Sequence, residues 1–424
     1  MRLFGCLLLA AVAPAWAQVS PGERQALLGL YEATGGDAWA DHSGWNGPAG
    51  TECNWTGILC GSESGAVTVT AIQLPFNRLT GSVPVLTGLP HLTRLTLSGN
   101  QLSGSFPSLG GLPSLEDLYL NDNQLAGPLP SFEGLANLRS LIADGNGLSG
   151  SLAGLSALRG IQSINLHDNE FSGPLPALAG LAELEYVNLA GNQLTGTLPA
   201  LNGLTHLRQF HVADNQLSGS IPSLAGLAEL RDFDASRNRL TGSIPSLDGL
   251  ALLRGLALAD NQLSGGIPAL EGHDIFLQDV DLRNNQLSGP IPSLRGLSAL
   301  GTLYLQNNAL TGTIPSFEGL GHLYYVDLSH NRLRGAIPPL APLHQLAYVR
   351  LSFNRLTGFV PEATPDLYDD QSELCPNALA ATPDPAWDAA TGAAPWYRDC
   401  DTDTVFADGY DDEFRAPVPA PARS

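Results

Sequence analysis

The stretch Leu92–Pro107, LTRLTLSGNQLSGSFP, decides the fold of this 424-residue chain. Its pattern LxxLxLxxNxLxGxxP recurs with the Asn at positions 77, 100, 123, 146, 169, 192, 215, 238, 261, 285, 308, 331 and 354. Eleven of the twelve intervals span twenty-three positions and one, from Asn261 to Asn285, spans twenty-four. A fixed period of this length is typical of proteins in which each repeat forms one supersecondary unit.

Each repeat combines a short apolar pattern with turn residues. Apolar residues stand eight, five and three positions before the Asn and two positions after it, and the alternation predicts a short strand. Gly follows the Asn by four positions in all thirteen repeats, and Pro by seven in all but one, where Ala153 replaces it. Stacked parallel strands can share one continuous core, and each Asn amide can bond backbone groups of the turn. The pattern therefore predicts an α/β-type solenoid with a parallel β-sheet on its concave face.

This pattern resembles the leucine-rich repeat family, and LSGPIPSL at 287–294 looks like its plant-type subclass. The resemblance implies a curved solenoid of about thirteen such turns, capped at both ends. Plant-type repeats are usually one residue longer than these, so the return path here is one residue tighter. Plant-type repeats occur in receptor ectodomains and in inhibitors of pectin-degrading enzymes. The resemblance therefore implies protein or glycan ligands outside the cell.

Both ends of the repeats carry predicted caps. Ser20-Pro21-Gly22-Glu23 forms a capping box that begins an amphipathic helix. The segment from Cys53 to Cys60, preceded by Trp39 and Trp45, resembles the plant-type N-terminal cap, which implies a Cys53–Cys60 disulfide. Trp39, Trp45 and Trp55 are expected to cover the first repeat, with an aromatic binding site as the alternative. Cys375 and Cys400 bracket a Pro- and Ala-rich segment, interpreted as a C-terminal cap closed by a Cys375–Cys400 disulfide.

The chain termini carry targeting and charge signals. Residues 1–17 have one Arg, an apolar run and the small-residue cleavage site Ala15-Trp16-Ala17, which together predict a Sec-type signal peptide. Cys6 precedes most of the apolar run, whereas the Cys of a lipoprotein box would follow it. Residues 401–424 form an acidic, Pro-rich tail whose spacing does not match an EF-hand, although calcium binding stays open. The predicted order is signal peptide (1–17), N-terminal cap (18–65), repeats (66–361), C-terminal cap (362–400) and tail (401–424).

Composition limits the possible functions and the source. The chain has no lysine, which excludes Schiff-base chemistry and Walker-type phosphate loops. The absence of lysine also points to a GC-rich bacterium as the source. In such an organism the sequon Asn54-Trp55-Thr56 would not be glycosylated. A net charge of −21 opposes nucleic-acid binding. The apolar run of residues 1–17 is too short to span a bilayer, and no other stretch is long enough. We expect an exported monomer that is secreted, periplasmic or held at the cell surface.

The sequence contains no familiar catalytic constellation. HExxH, GxSxG and a strand-linked GxGxxG are absent, and the nine histidines are scattered. His167 and His211 are expected to be solvated, because two turns of separation leaves them too far apart for a shared metal. The pairs Asp232/Asp234 and Asp279/Asp281 have a spacing that overlaps that of inverting glycosidases, but an open sheet offers no cleft. We therefore expect no enzyme activity, no cofactor and no metal.

Function is expected on the concave strand face, at positions six, four, two and one before each Asn and one after it. The early turns are rich in carboxylates, whereas the late turns combine tyrosines and arginines, which are enriched in interface hot spots. The predicted ligand-binding residues are Tyr304, Tyr325, Asp327, Arg332, Tyr348, Arg350, Phe353 and Arg355. Tyr325 and Tyr348 share one repeat position and should stack about 5 Å apart.

These residues predict a recognition module whose partner is an extracellular or cell-surface protein. An anionic polysaccharide is the alternative ligand, and a merely solvated strand surface is the alternative explanation of the same residues. A second surface offers another hypothesis, because eleven of thirteen turns carry Ser or Thr three positions after the Asn. That hydroxyl ladder could match ice or a crystalline glycan, although turn hydrogen bonds also explain it.

Overall fold

The computed structural model describes residues 18–63, 65–273, 275–364, 366–398 and 400. The predicted signal peptide and acidic tail lie outside these residues. The chain divides into two compact units, residues 1–194 and 195–424. Each unit is a stack of turns of parallel strands, which confirms the predicted solenoid.

The first unit begins with a helix and continues with short strands. Its elements are α1 (Pro21–Ala33), 3-10 helices Gly36–Ala38 and Glu52–Asn54, β1 (Ile58–Glu63), β2 (Ala66–Gln73), β3 (Thr80–Gly81), β4 (Arg94–Thr96), β5 (Gln101–Ser105), β6 (Asp117–Tyr119), β7 (Gln124–Gly127), β8 (Ser140–Ile142), β9 (Gly147–Gly150), a 3-10 helix Ala153–Ala157, β10 (Ser163–Asn165), β11 (Glu170–Pro174) and β12 (Tyr186–Asn188). Strand β13 (Gln193–Thr195) spans the division.

The second unit repeats the same alternation and ends with a short helix. Its elements are β14 (Gln209–His211), β15 (Ser218–Gly219), β16 (Asp232–Asp234), β17 (Arg239–Gly242), β18 (Gly255–Ala257), β19 (Gln262–Gly265), β20 (Asp279–Asp281), β21 (Gln286–Pro290), β22 (Thr302–Tyr304), β23 (Ala309–Thr311), β24 (Tyr325–Asp327), β25 (Arg334–Gly335), β26 (Tyr348–Arg350), β27 (Arg355–Gly358), β28 (Ala378–Leu379) and α2 (Pro385–Thr391).

Two sets of strands run along each unit. The first set holds the three residues that stand six to four positions before each ladder Asn, in the order β1-β2-β4-β6-β8-β10-β12 in the first unit and β14-β16-β18-β20-β22-β24-β26 in the second. Apart from the β1–β2 hairpin, its strands pair in parallel and in register. The second set follows the Asn and forms separate small sheets. The first set is the strand face on which ligand binding is predicted.

The core is the column of repeat leucines. In the turn of Asn331, Leu323, Val326, Leu328 and Leu333 are fully buried, which is the predicted pattern of positions. Burying one such side chain contributes about 2 kcal/mol, so each added turn stabilises its neighbours through this column.

The predicted asparagine ladder is present in both units. Asn354 donates from Nδ2 to the carbonyl oxygen of Leu328 in the preceding turn at 2.8 Å, and its Oδ1 accepts from the N–H of Leu333 at 2.9 Å. Asn123 makes the same two bonds with Leu97 and Leu102, at 3.0 Å each. The side chain thus satisfies buried backbone groups of the preceding turn, which explains its regular spacing.

One more rung lies beyond the predicted repeats. Asn377 follows Asn354 at the same interval that separates most of the earlier rungs. Its amide bonds Leu351 O at 2.8 Å and the N–H of Leu356 at 3.0 Å. Strand β28 then pairs with β27. The Pro- and Ala-rich segment, interpreted from the sequence as a C-terminal cap, therefore begins with a fourteenth ladder Asn.

Both caps contain the predicted disulfides, Cys53–Cys60 and Cys375–Cys400. The capping box of α1 is formed by the side chains of Ser20 and Glu23. Trp39, Trp45 and Trp55 are at most 7% exposed, and their rings contact one another with centroids 4.9 and 5.0 Å apart. This burial supports a covering role over the alternative of an aromatic binding site. Within the described residues no helix has the length and apolar character needed to cross a membrane.

The residue directly before each ladder Asn adopts a left-handed backbone conformation in all thirteen turns, with φ between 50° and 65°. Nine of these residues are Gly, Asp or Asn, which tolerate this conformation, and the exceptions are Phe76, Arg237, His330 and Phe353. This position, predicted to lie on the strand face, is part of the turn that follows the strand.

Candidate functional site

Five of the eight predicted ligand-binding residues lie together on adjacent strands β22, β24 and β26. Tyr325 is in register with Tyr348, and Asp327 is in register with Tyr304 on one side and Arg350 on the other. The four residues other than Asp327 are half-buried. We call the group Tyr304, Tyr325, Asp327, Tyr348 and Arg350 the tyrosine face.

The tyrosine rings of this face stack along the sheet. The Tyr304 and Tyr325 ring centroids are 4.7 Å apart, and those of Tyr325 and Tyr348 are 5.0 Å apart, which confirms the predicted spacing of the second pair. The guanidinium of Arg350 lies 5.9 Å from the Tyr325 centroid, and that of Arg283 lies 5.5 Å from the Tyr304 centroid. Burial raises the pKa of both Tyr304 and Tyr325. The ring planes of the two pairs are tilted by 36° and 30°, so neighbouring tyrosines occupy part of the space beside each ring.

Two further tyrosines enlarge this aromatic surface and were missed by sequence reasoning. Tyr324 is 40% exposed and Tyr368 is 49% exposed, and their rings meet Tyr348 edge to face at 5.4 and 5.1 Å. Hydrogen bonds with Tyr368 and Tyr348 raise the pKa of Tyr324. Tyr324 stands seven positions before its Asn, outside the pattern used for prediction, and Tyr368 lies in the cap. The adjacent Tyr324-Tyr325 pair was the available signal.

Asp327 differs from its prediction, because it is 4% exposed and not a solvated strand residue. Its Oδ1 accepts hydrogen bonds from the N–H of Ser329 at 3.0 Å and from Ser329 Oγ at 2.6 Å. Burial raises the pKa of the Asp327 carboxyl, against the lowering effects of Ser329 and Arg350. A carboxylate held inside the tyrosine face can recognise a hydrogen-bond donor.

The other three predicted residues lie off the strands. Phe353 is in the left-handed turn position, where its ring stacks on His330 with centroids 4.2 Å apart and planes 14° apart. Burial lowers the pKa of His330. Arg332 and Arg355 each directly follow a ladder Asn. Arg355 is the first residue of β27, which belongs to a different sheet. Residues that directly follow the Asn, which were predicted to share the strand face, thus lie outside the strands of that face.

The carboxylates of the early turns fall into two groups. In the first group the carboxylate forms an ion pair with an arginine: Asp117 with Arg94 at 2.6 Å, and Asp214 with Arg237 at 2.5 Å. Asp144 instead contacts His167, which also lies 3.0 Å from Asp168. Burial raises the pKa of Asp144, although His167 acts to lower it. His167 is thus held between two carboxylates, a contact that the sequence analysis did not foresee.

The two carboxylate pairs considered for catalysis are engaged in local bonds. Asp232 accepts from Gln209 Nε2 at 2.9 Å, and Asp279 accepts from Thr302 Oγ1 at 2.7 Å. Burial raises the pKa of Asp281, whereas Arg283, at 3.4 Å, lowers it. In the described part of the chain, no three His, Cys, Asp or Glu residues are grouped so that they could hold a metal ion.

Models of known protein families match several segments of the chain. The leucine rich repeat N-terminal domain matches residues 20–61, and a two-copy leucine rich repeat model matches 90–134. The single leucine rich repeat matches 183–203, 276–297 and 322–342. The chain therefore contains leucine-rich repeats and their N-terminal cap domain. No curated protein matches the chain significantly.

Solved structures of plant proteins are similar to this chain. The ectodomain of the Arabidopsis thaliana receptor kinase GASSHO1/SCHENGEN3, in complex with CASPARIAN STRIP INTEGRITY FACTOR 2, is 34% identical with a TM-score of 0.79, over 88% of this chain and 46% of that one. The Arabidopsis receptor kinase HAESA, in complex with the peptide hormone IDA and the co-receptor SERK1, is 27% identical with a TM-score of 0.58, over 88% and 77%. A plant ice-binding protein is 26% identical with a TM-score of 0.55, over 67% and 93%.

The chain spans about half the length of the first receptor ectodomains that it matches, 46% and 56%.

Proposed function

We propose that this protein is a non-catalytic extracellular recognition module that binds a protein or peptide ligand through the tyrosine face. The observation that carries the proposal is the stack of Tyr304, Tyr325 and Tyr348, which gathers half-buried aromatic groups and Arg350 on three neighbouring strands. Tyr and Arg dominate the binding energy of many protein interfaces. The ectodomains of GASSHO1/SCHENGEN3 and HAESA, which are similar to this chain, were solved with peptide or protein partners.

The ring geometry favours a peptide over a polysaccharide. A sugar ring packs best on an open aromatic face, but the Tyr304 and Tyr348 ring centroids lie 4.7 and 5.0 Å from that of Tyr325, and the Arg350 guanidinium lies 5.9 Å from it, so these groups occupy much of the space around the ring. Tyrosine hydroxyls suit backbone carbonyls and side-chain acceptors. Polysaccharide binding is therefore the weaker alternative for this face.

The test is affinity capture from secreted and cell-surface protein extracts, with a polysaccharide panel in parallel. The native chain is compared with Tyr325→Ala/Tyr348→Ala and with the control Tyr119→Ala, a half-buried strand-face tyrosine of the first unit. A ligand should bind the native and control proteins, and each Tyr→Ala change in the face should cost about 2 kcal/mol or more. A ligand that binds all three proteins equally would place the binding site elsewhere.

Ice binding is a second candidate function, favoured by one specific surface. In the second unit, five parallel strands each present one hydroxyl to solvent, in consecutive turns, from Ser218, Thr241, Ser264, Ser288 and Thr311. The similarity to a plant ice-binding protein over 93% of its length adds support. The Ser218 hydroxyl, however, already donates to Gly196 O at 3.2 Å.

Thermal hysteresis tests the ice-binding candidate. The native chain should depress the freezing point, and Ser264→Tyr, in the middle of the hydroxyl row, should abolish the effect while Tyr325→Ala leaves it intact. Absence of hysteresis and of crystal shaping at high protein concentration would reject this function.

A further inference from the structure

We propose that the tyrosine face selects a basic side chain of its peptide ligand, a Lys ammonium or an Arg guanidinium, bound between the Asp327 carboxylate and the side-chain carbonyl of Gln306. This inference rests on the proposed function, because it specifies what the tyrosine face recognises. It is carried by three features of the second unit: a buried carboxylate, a buried acceptor without a partner, and the balance of charge around them.

The first feature is the charge of Asp327, which is only partly compensated. Its carboxylate accepts hydrogen bonds from Ser329, and Arg350 stands opposite it in register. The Arg350 side chain instead lies over Tyr325 and directs Nε toward Gln371 O at 3.4 Å. A buried carboxylate whose charge is only partly compensated costs free energy, which a cation supplied by the ligand would offset.

The second feature is Gln306, whose Oε1 is buried and has no hydrogen-bond partner within the described residues. Its chain neighbours bond the turn of Asp327, because Leu305 N–H donates to Asp327 O at 2.9 Å and Asn307 N–H donates to Ser329 O at 3.2 Å. Gln306 therefore lies beside the Asp327–Ser329 pair on the adjacent turn. Two acceptors at neighbouring positions suit a group that has several N–H donors.

The third feature is the local charge balance. Arg283 already lies 3.4 Å from Asp281, and Arg350 lies over the Tyr325 ring. Strands β20, β22, β24 and β26 together carry three carboxylates, those of Asp279, Asp281 and Asp327, and one arginine, Arg350, on a chain with a net charge of −21. An acidic ligand would be repelled and a basic one attracted. The rings of Tyr304 and Tyr325 can pack against the apolar stem of a Lys or Arg side chain.

The experiment selects binders from a random peptide library displayed on phage, using the full chain. Parallel selections use Asp327→Asn, Gln306→Leu, Tyr325→Ala/Tyr348→Ala and the control Asp234→Asn, which removes a half-buried carboxylate at the same repeat position in another turn. Peptides selected by the native protein should be enriched in Lys or Arg at one position. Their affinity should fall at least about 10-fold with Asp327→Asn, fall less with Gln306→Leu, and stay unchanged with Asp234→Asn. Thermal unfolding checks that each variant is folded.

The possible outcomes separate this inference from the proposed function. Selected peptides that require Tyr325 and Tyr348 but lack a basic position, or that bind Asp327→Asn as tightly as the native protein, would overturn the basic-ligand inference alone. Selection of no peptide, or of peptides that bind independently of the tyrosines, would overturn both. If the Asp327→Asn protein fails to fold, the Gln306→Leu variant decides. Peptides that bind Gln306→Leu as tightly as the native protein would contradict a cation site shared by Asp327 and Gln306.

Discussion

The buried carboxylate of Glu23 accepts a hydrogen bond from the N–H of Val69 at 2.8 Å, which ties helix α1 to strand β2. The same side chain accepts from Thr68 Oγ1 and, at 2.7 Å, from the N–H of Ser20. One residue thus completes the capping box and fastens the cap to the sheet. Burial acts to raise the pKa of Glu23, but the hydrogen bonds from Thr68, Ser20 and Val69 outweigh it and lower the pKa.

This lowered pKa predicts acid sensitivity of the N-terminal cap. A carboxyl group with a depressed folded-state pKa stabilises the protein above its unfolded pKa, about 4.3, and the stabilisation is lost as the pH falls through the folded value. Glu23→Gln should therefore cost about 1 to 2 kcal/mol at pH 7 and much less at pH 3. Denaturant unfolding at both pH values, followed by cap tryptophan fluorescence, measures the difference.

The control is Glu32→Gln, which changes an exposed glutamate of the same helix. It should leave the unfolding midpoint unchanged at both pH values. A pH-independent cost for Glu23→Gln would mean that charge is not what holds the cap.

The asparagine ladder predicts a local loss of protection. Asn331 donates to Leu305 O at 2.9 Å and accepts from the N–H of Leu310 at 2.9 Å. Asn331→Ala removes the acceptor of the buried Leu310 N–H and one of two side-chain donors to Leu305 O, the other being Asn308 Nδ2 at 3.1 Å, and should cost about 2 kcal/mol or more. Hydrogen exchange of the Leu310 amide should accelerate, whereas Asn137→Ala, an exposed asparagine, should change stability by less than about 0.5 kcal/mol. Unchanged exchange at Leu310 would contradict the ladder's role.

The architecture could be predicted because it depends on periodic residues. Thirteen evenly spaced asparagines and the leucines around them determine the strands, the core and the ladder, since each performs the same task in each turn. The stacking of Tyr325 on Tyr348 followed for the same reason, because equal repeat positions in adjacent turns come about one strand spacing apart.

The site was less predictable because its particular features break the repeat. The Asp327 carboxylate is bonded by Ser329, a residue specific to that turn, and Tyr368, which contacts Tyr348, belongs to the cap, so neither contact follows from a position in the pattern. The left-handed turn before each Asn, in contrast, could have been predicted from the sequence. Gly, Asp or Asn stands there in nine of thirteen turns, which is the residue choice that a positive φ favours.

Asp327 predicts a pH dependence opposite in sign to that of Glu23. Because burial raises its folded-state pKa, the native protein takes up this proton more readily than the unfolded chain, whose pKa is about 3.9. Stability should therefore fall as the pH rises from the unfolded pKa through the folded one. Asp327→Asn keeps the Oδ1 acceptor for Ser329 and removes the charge, so it should raise the free energy of unfolding at pH 7.

Unfolding midpoints of the native protein and Asp327→Asn at several pH values between 3 and 7 test this. The two proteins should converge at the acid end, and Asp234→Asn should show no comparable gain at neutral pH. A neutral-pH loss of stability in Asp327→Asn would mean that the native protein already compensates this charge, and the expectation would be wrong.

The turn before the ladder Asn gives the last prediction, through Gly191. Its φ is 64°, and an added Cβ would lie 2.3 Å from the Asp168 carboxylate oxygen, an exposed side-chain end that can move. Ala and Asn add the same Cβ at this position, but Asn tolerates the left-handed conformation better. Gly191→Ala should destabilise the first unit by about 1 kcal/mol or more, and Gly191→Asn by less. Gly29→Ala, in α1 where a Cβ meets nothing within 4 Å, should instead stabilise by about 0.5 to 1 kcal/mol. Chemical denaturation measures the free energy of unfolding of the three variants. An equal loss of stability in Gly191→Ala and Gly191→Asn would show that crowding of the Cβ, rather than backbone conformation, selects the residue in this turn.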